Sequence, residues 1–236
     1  GEVAARIEAA EGALGRAMSV ISRPSVSDAT IWLDRGTRLD FGNAADLSRH
    51  LSDMLDEAFA GAPLLRNELI NRGRISTAVA SARMRLLELM VEKPDQAFLG
   101  LEGAPPERTI YLAMLSAGGI HRPGPDGRHV FVRPDPDPLN WAPAWDRVGE
   151  LVAEAGLVRF DEMVDALAER PIGLRAGPAL LLIAAFMLAN RRDIALMERG
   201  TFQPELTGAH FMRLAKSPWN FALRHLGEAD DRRQVL

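Results

Sequence analysis

The sequence predicts a mainly α-helical fold carrying short β-hairpins, and three observations predict it. Apolar residues recur at helical spacing in several segments. The run from Gly177 to Asn190 carries no charge and is apolar on every side. Two helix-rich stretches are each followed by alternating residues broken at a turn, around 120–133 and 194–202. Helices packed beside a two-stranded ribbon follow the winged-helix plan. Tandem winged-helix-like units around an α-helical core are therefore expected. The boundaries are an N-terminal helix and β-hairpin in 1–45, a first unit in 46–136, a second in 137–220, and a tail in 221–236.

Taken in order, residues 2–18 read as a helix, with Ile7, Ala10, Leu14 and Met18 in register. Residues 22–28 read as a loop. "TIWLDRGTRLDF" (30–41) reads as a hairpin turning at Asp34-Arg35-Gly36, where glycine is free to take positive φ. Over 43–59, Leu47, Leu51, Met54, Leu55 and Phe59 form one stripe behind Asn43 or Asp46 as cap. "PLLRNELINR" is expected to give a short helix and loop. Ser76 or Thr77 caps the next helix, whose stripe is Val79, Ala82, Leu86, Leu87 and Met90 and which stops at Pro94.

A helix opening on Pro105-Pro106 ends at Gly118-Gly119, and "IHRPGPDGRHVFVR" then reads as a hairpin. His121 and His129 are expected as surface residues flanking its turn. The Pro–Asp alternation in 134–143 sustains neither helix nor central strand, so it marks the boundary between the two units. Helices follow at about 143–155 and 160–170, then a bend from Pro171 to Pro178. The uncharged run is shorter than the roughly 20 apolar residues a bilayer requires and reads as a buried helix, so no membrane is expected among the partners. Asn190-Arg191-Arg192 closes it, a hairpin turns at Glu198-Arg199-Gly200, and a last helix covers about 207–215.

Composition narrows the chemistry. The chain has 236 residues, no cysteine, and a net charge of −4. The absence of cysteine excludes disulfides, thiol catalysis and iron–sulfur ligation, and fits a cytoplasmic setting. The chain opens on Gly1 and reads as an excised fragment without a signal peptide. Only Lys93 and Lys216 are lysines, a bias toward arginine expected of a GC-rich bacterial genome. No phosphate loop, dinucleotide fingerprint, nucleophile elbow or paired-histidine metal motif is present, so no catalytic residue, metal or cofactor is expected. Asp135 and Asp137 read as a solvated loop. Asp161, Glu162 and Asp165 read as acids at a helix start, and the four tryptophans as core anchors.

The arginines carry the remaining signal. Residues 66–93 hold six bases against three acids, and residues 170–199 hold five against two. Arg72, Arg74, Arg83, Arg85, Arg175, Arg191, Arg192 and Arg199 are therefore the candidate contacts to duplex DNA phosphates or to a partner protein. The competing reading is pairing with acids, Arg85 with Glu88 and Arg192 with Glu198.

The stretches "PLLRNELINRGRIST", "ASARMRLLELM", "LGLEGAPPERTIYLAML" and "RPIGLRAGPALLLIAAFMLANRRDIALMERGTFQPEL" carry a resemblance. Through Asn67-Glu68-Leu69, Asn71-Arg72, Ser76, Ala82-Arg83, Leu99-Gly100, Glu102-Gly103, Pro105-Pro106-Glu107 and Tyr111, residues 45–220 resemble a region of large bacterial P-loop ATPases. Pro171, Gly173-Leu174-Arg175, Gly177-Pro178, Phe202 and Pro204 continue the pattern. In those proteins, encoded in BREX-type phage-defence clusters, the region lies downstream of the nucleotide-binding core. The family's phosphate loop and magnesium-binding carboxylate are missing here. The resemblance thus implies an accessory region that does not hydrolyse ATP. It would couple the nucleotide state of the parent ATPase to DNA or to other subunits or domains.

Overall fold

A computed structural model of the chain describes residues 6, 9–13, 31–71 and 76–226. The chain separates into two units, residues 1–58 and 59–236. Most of the helix expected over 2–18 and the loop expected at 22–28 lie outside the described residues. Residues 6 and 9–13 are helical.

In the first unit, β1 (Trp32–Asp34) pairs antiparallel with β2 (Thr37–Leu39), Asp34 opposite Thr37. The two-residue link is Arg35 and Gly36, with φ of 47° and 82°. Positive φ at both central positions is what a tight, right-twisted hairpin demands, and glycine meets it without strain. Helix α1 (Ala44–Ala58) starts where the Asn43 carboxamide oxygen accepts from the backbone N–H groups of Ala45 and Asp46. Leu47 of its stripe is buried, whereas Leu55 is 58% exposed.

The second unit holds one continuous core. Segment 63–71 forms no helix, contrary to expectation. The Asn67 side chain accepts from the Leu69 N–H and donates to the Thr109 carbonyl, a local turn that competes with helix. Helix α2 (Thr77–Glu92) begins behind Ser76, whose hydroxyl accepts from Val79 N–H, and all five residues of its expected stripe are buried. Helix α3 (Pro106–Tyr111) continues as a π-helical turn, 112–116, to Gly118. A Cβ on Gly118 would lie 2.4 Å from the Met114 carbonyl and 2.7 Å from the Trp141 ring, so only glycine fits. β3 (His121–Pro123) then pairs with β4 (His129–Phe131).

Asp137 in the Pro–Asp loop accepts from the N–H groups of Trp141 and Ala142, capping α4 (Ala142–Ala155). The loop therefore joins two parts of one core and does not divide compact units, so the expected boundary at 136/137 is replaced by one at 58/59. β5 (Leu157–Arg159) runs directly into α5 (Phe160–Ala168), where Glu162 accepts from the Arg159 N–H and Asp161 pairs with the Arg159 guanidinium.

Helix α6 (Ala176–Ala189) is buried at every position from Gly177 to Met187, as its uniformly apolar sequence requires. It packs against α2, α4, α5 and β4, with Trp145 edge-on to Phe186 at 5.3 Å. β6 (Ile194–Glu198) and β7 (Thr201–Phe202) turn through Arg199 and Gly200, again with positive φ at both. Helix α7 (Gly208–Lys216) lies close on α2. A Cβ on Gly208 would meet Glu88 at 2.5 Å.

The segment expected as tail supplies β8 (Phe221–His225), an inner strand of a four-stranded antiparallel sheet ordered β5-β8-β6-β7. Its alternation explains this: Phe221 and Leu223 point inward and are buried, while Ala222 and Arg224 face outward. Among the described residues no helix is long and apolar enough to cross a membrane.

Candidate binding surfaces

The six candidate arginines among the described residues do not form one strip. Arg72 and Arg74 lie outside the described residues. Arg85 pairs with Glu88 one helical turn away. Arg175 is exposed, and its Nη1 donates to the Asn71 carbonyl at 2.9 Å, fixing a loop 104 residues distant in sequence. Arg83 is half-buried beside the start of α6, with Nη1 3.9 Å from where a Gly177 Cβ would stand. Its Nε is buried without a hydrogen-bond partner among the described residues, and burial lowers its pKa.

Arg191 and Arg192 are exposed at the opposite end of α6, about 20 Å away at 1.5 Å per residue. Neither forms a salt bridge among the described residues, and the expected Arg192–Glu198 pair is absent. Glu198 is instead held by Arg213 in a two-pronged contact of 2.8 and 2.7 Å, which lowers the carboxyl pKa. Arg199 sits on the β6–β7 turn, at the far end of the five-residue strand β6 from Arg192. Because α6 is enclosed, it presents no helical face to a DNA groove. The described candidates reduce to an exposed pair at 191–192 and one residue at a hairpin tip.

His121 is buried rather than superficial, which corrects the expectation. Its Nε2 lies 2.8 Å from the Pro94 carbonyl, which can only accept, so Nε2 carries the hydrogen. Nδ1, 2.8 Å from the Tyr111 hydroxyl, accepts in turn. Burial, the largest influence, pulls the imidazole pKa down to about 4 and pushes the Tyr111 phenol up to about 12. Both ring nitrogens are occupied within the protein, so this histidine fastens the β3–β4 hairpin to α3 and to the end of α2. Among the described residues, no group of three histidines or acids stands close enough to hold a metal ion.

Sequence reasoning missed the outward face of the four-stranded sheet. The register aligns Leu157 with Arg224, and Arg159 with Ala222 and Met197. Trp219, expected as a core anchor, stands beside this face and is 57% exposed, and Leu157 is 53% exposed. Two shallow cavities of about 480 and 380 Å³ meet there, sharing Leu157, Met197 and Gly200. Arg159, Arg199, Arg224 and His225 border them, and among the described residues no carboxylate does. Arg159 is tied to Asp161 and Glu162, whereas Arg199 and Arg224 form no salt bridge among the described residues. The readable signal was the alternation of "FALRH", which marks one side of a strand as apolar and the other as open. Comparison with protein-family models, curated proteins and solved structures finds no match.

Proposed function

We propose that this chain is a non-enzymatic accessory module of a larger ATP-binding, phage-defence or DNA-processing protein. It works in the cytoplasm, and its winged-helix surfaces bind a partner protein. The parent class follows from the sequence resemblance. The winged-helix reading is supported by the order helix, strand, helix, helix, strand, strand in α4-β5-α5-α6-β6-β8, with the last strand inserted between the other two. β7 and α7 enlarge the wing between β6 and β8.

The observation that carries a protein partner over duplex DNA is the enclosure of α6. In groove reading the third helix of such a unit enters the major groove, and here that helix is covered on all sides. Three of the candidate arginines, Arg85, Arg175 and Arg83, end respectively in a carboxylate, a backbone carbonyl and a half-buried site.

Binding to a fluorescent duplex oligonucleotide, titrated from low to high salt, tests this. The expected result is no measurable complex at low salt. A complex whose affinity falls by about 0.9 log unit per log unit of salt for each phosphate contact would restore the DNA reading. That second reading has one observation in its favour, the exposed pair Arg191-Arg192, which forms no salt bridge among the described residues.

A further inference from the structure

Among the described residues, the outward face of β5, β8 and the end of β6 is open around Leu157, Met197, Ala222 and Trp219, and its composition specifies an occupant. We propose that it docks an extended segment of a partner protein with the pattern acid–x–apolar–x–acid. This rests on the partner-binding reading above and gives that partner its chemistry.

Three features lead to the pattern. The first is charge. The two cavities on this face are bordered by Arg199 and Arg224 and, among the described residues, by no acid, and neither arginine has a salt bridge among those residues. Carboxylates on an incoming chain would complement them. A second copy of this face would instead set arginine against arginine.

The second is spacing. Arg224 stands opposite Ala195 in the register, and Arg199 lies four residues beyond Ala195. The two guanidinium-bearing positions are thus about 13 Å apart along the strand direction, the span of residues i and i+4 in an extended chain. Side chains at i, i+2 and i+4 of such a chain point the same way.

The third is what lies between the arginines. Met197 and Ala222 face each other there, next to Leu157 and Trp219. Aliphatic carbon with one exposed indole suits an apolar side chain at i+2 and gives no successive rings for stacking bases. Nucleic acid is therefore the poorer fit.

The test uses the 236-residue chain and a synthetic peptide with Glu-Ser-Leu-Ser-Glu at its centre and glycine–serine ends. Binding is followed by NMR at the Trp219 indole N–H and the Met197 and Leu157 methyl groups. The peptide is expected to shift these signals, and Lys-Ser-Leu-Ser-Lys is expected not to. Arg199→Glu combined with Arg224→Glu should weaken the glutamate peptide at least tenfold and admit the lysine peptide, with an unchanged melting temperature as control. Trp219→Ala, a second variant, should weaken binding while leaving the charge preference intact. Arg191→Glu with Arg192→Glu should have no effect.

Absence of shifts on this face, or equal binding of both peptides, overturns the proposal. So does stronger displacement of the same signals by a single-stranded oligonucleotide, or a concentration-dependent shift abolished by Trp219→Ala, which would make the occupant a second copy. Failure of the underlying reading looks different: salt-sensitive duplex binding that requires Arg191 and Arg192 while this face stays silent.

Discussion

The stretches 106–131 and 176–202 run through the same succession, a helix and then a hairpin, and reach different ends. In the first, β3 and β4 remain a two-stranded ribbon. Its inward row is His121 and Phe131, secured where His121 donates to the Pro94 carbonyl and accepts from the Tyr111 hydroxyl. In the second, β6 and β7 are extended by β8 and β5 into four strands, one face on the core and the other open around Leu157 among the described residues. A hairpin's neighbours, more than its own residues, decide whether it becomes a closed ornament or a surface.

The largest expected effect separates the two ribbons. Leu223, fully buried in β8, should cost about 2–5 kcal/mol on replacement by alanine, whereas Val130→Ala in the half-open β4 should cost under about 1 kcal/mol. Urea denaturation of both variants measures this. Equal losses would mean that the small ribbon is as deeply built into the core as the sheet.

Next in size is the lock on the first ribbon. His121→Ala leaves the Pro94 carbonyl and the Tyr111 hydroxyl without their partner, a cost of about 2 kcal/mol. The same lock gives a pH dependence. In the folded chain the imidazole pKa is about 4, against an ordinary value of 6.5. The unfolded chain therefore binds the proton first, so this contribution is complete above pH 6.5 and is lost as pH falls toward 4. Melting temperatures from pH 8 to pH 4 should decline in the parent and flatten in His121→Phe. A parallel decline in both would place the titrating group elsewhere.

The smallest effect compares two turns with the same acid-Arg-Gly-Thr sequence. Gly36 and Gly200 have φ of 82° and 79°, and neither has an atom within 4 Å of an added Cβ. Alanine at either position should cost about 1–2 kcal/mol through the backbone alone. Matching losses in thermal melts would show that the turn is a local property. A much larger loss at Gly200 would tie it to the sheet.

These contrasts also explain what the sequence made legible. Helical stripes such as Val79-Ala82-Leu86-Leu87-Met90 were readable because burial follows a 3.6-residue period, and the Arg-Gly turns because positive φ selects glycine. β5 was not, since three residues running straight into α5 carry no period or turn of their own. β8 was not, because its partners begin at Leu157 and Ile194, far back in the chain. At the candidate site the enclosure of α6 was legible from its composition. The fate of the arginines was legible only in part: Arg85 pairs with Glu88 at the i,i+3 spacing the sequence displays, whereas the Asn71 carbonyl that Arg175 reaches lies 104 residues away, which only tertiary packing decides.

The placement of β8 has a consequence for assembly. Both β5 and β6 are synthesised before it, and each waits for the same late segment to complete its ladder. Until residues 221–225 arrive, two raw edges rich in backbone donors and acceptors stand open to strangers. Cutting the chain before Phe221 would make that interval permanent and should yield aggregates instead of a smaller soluble protein.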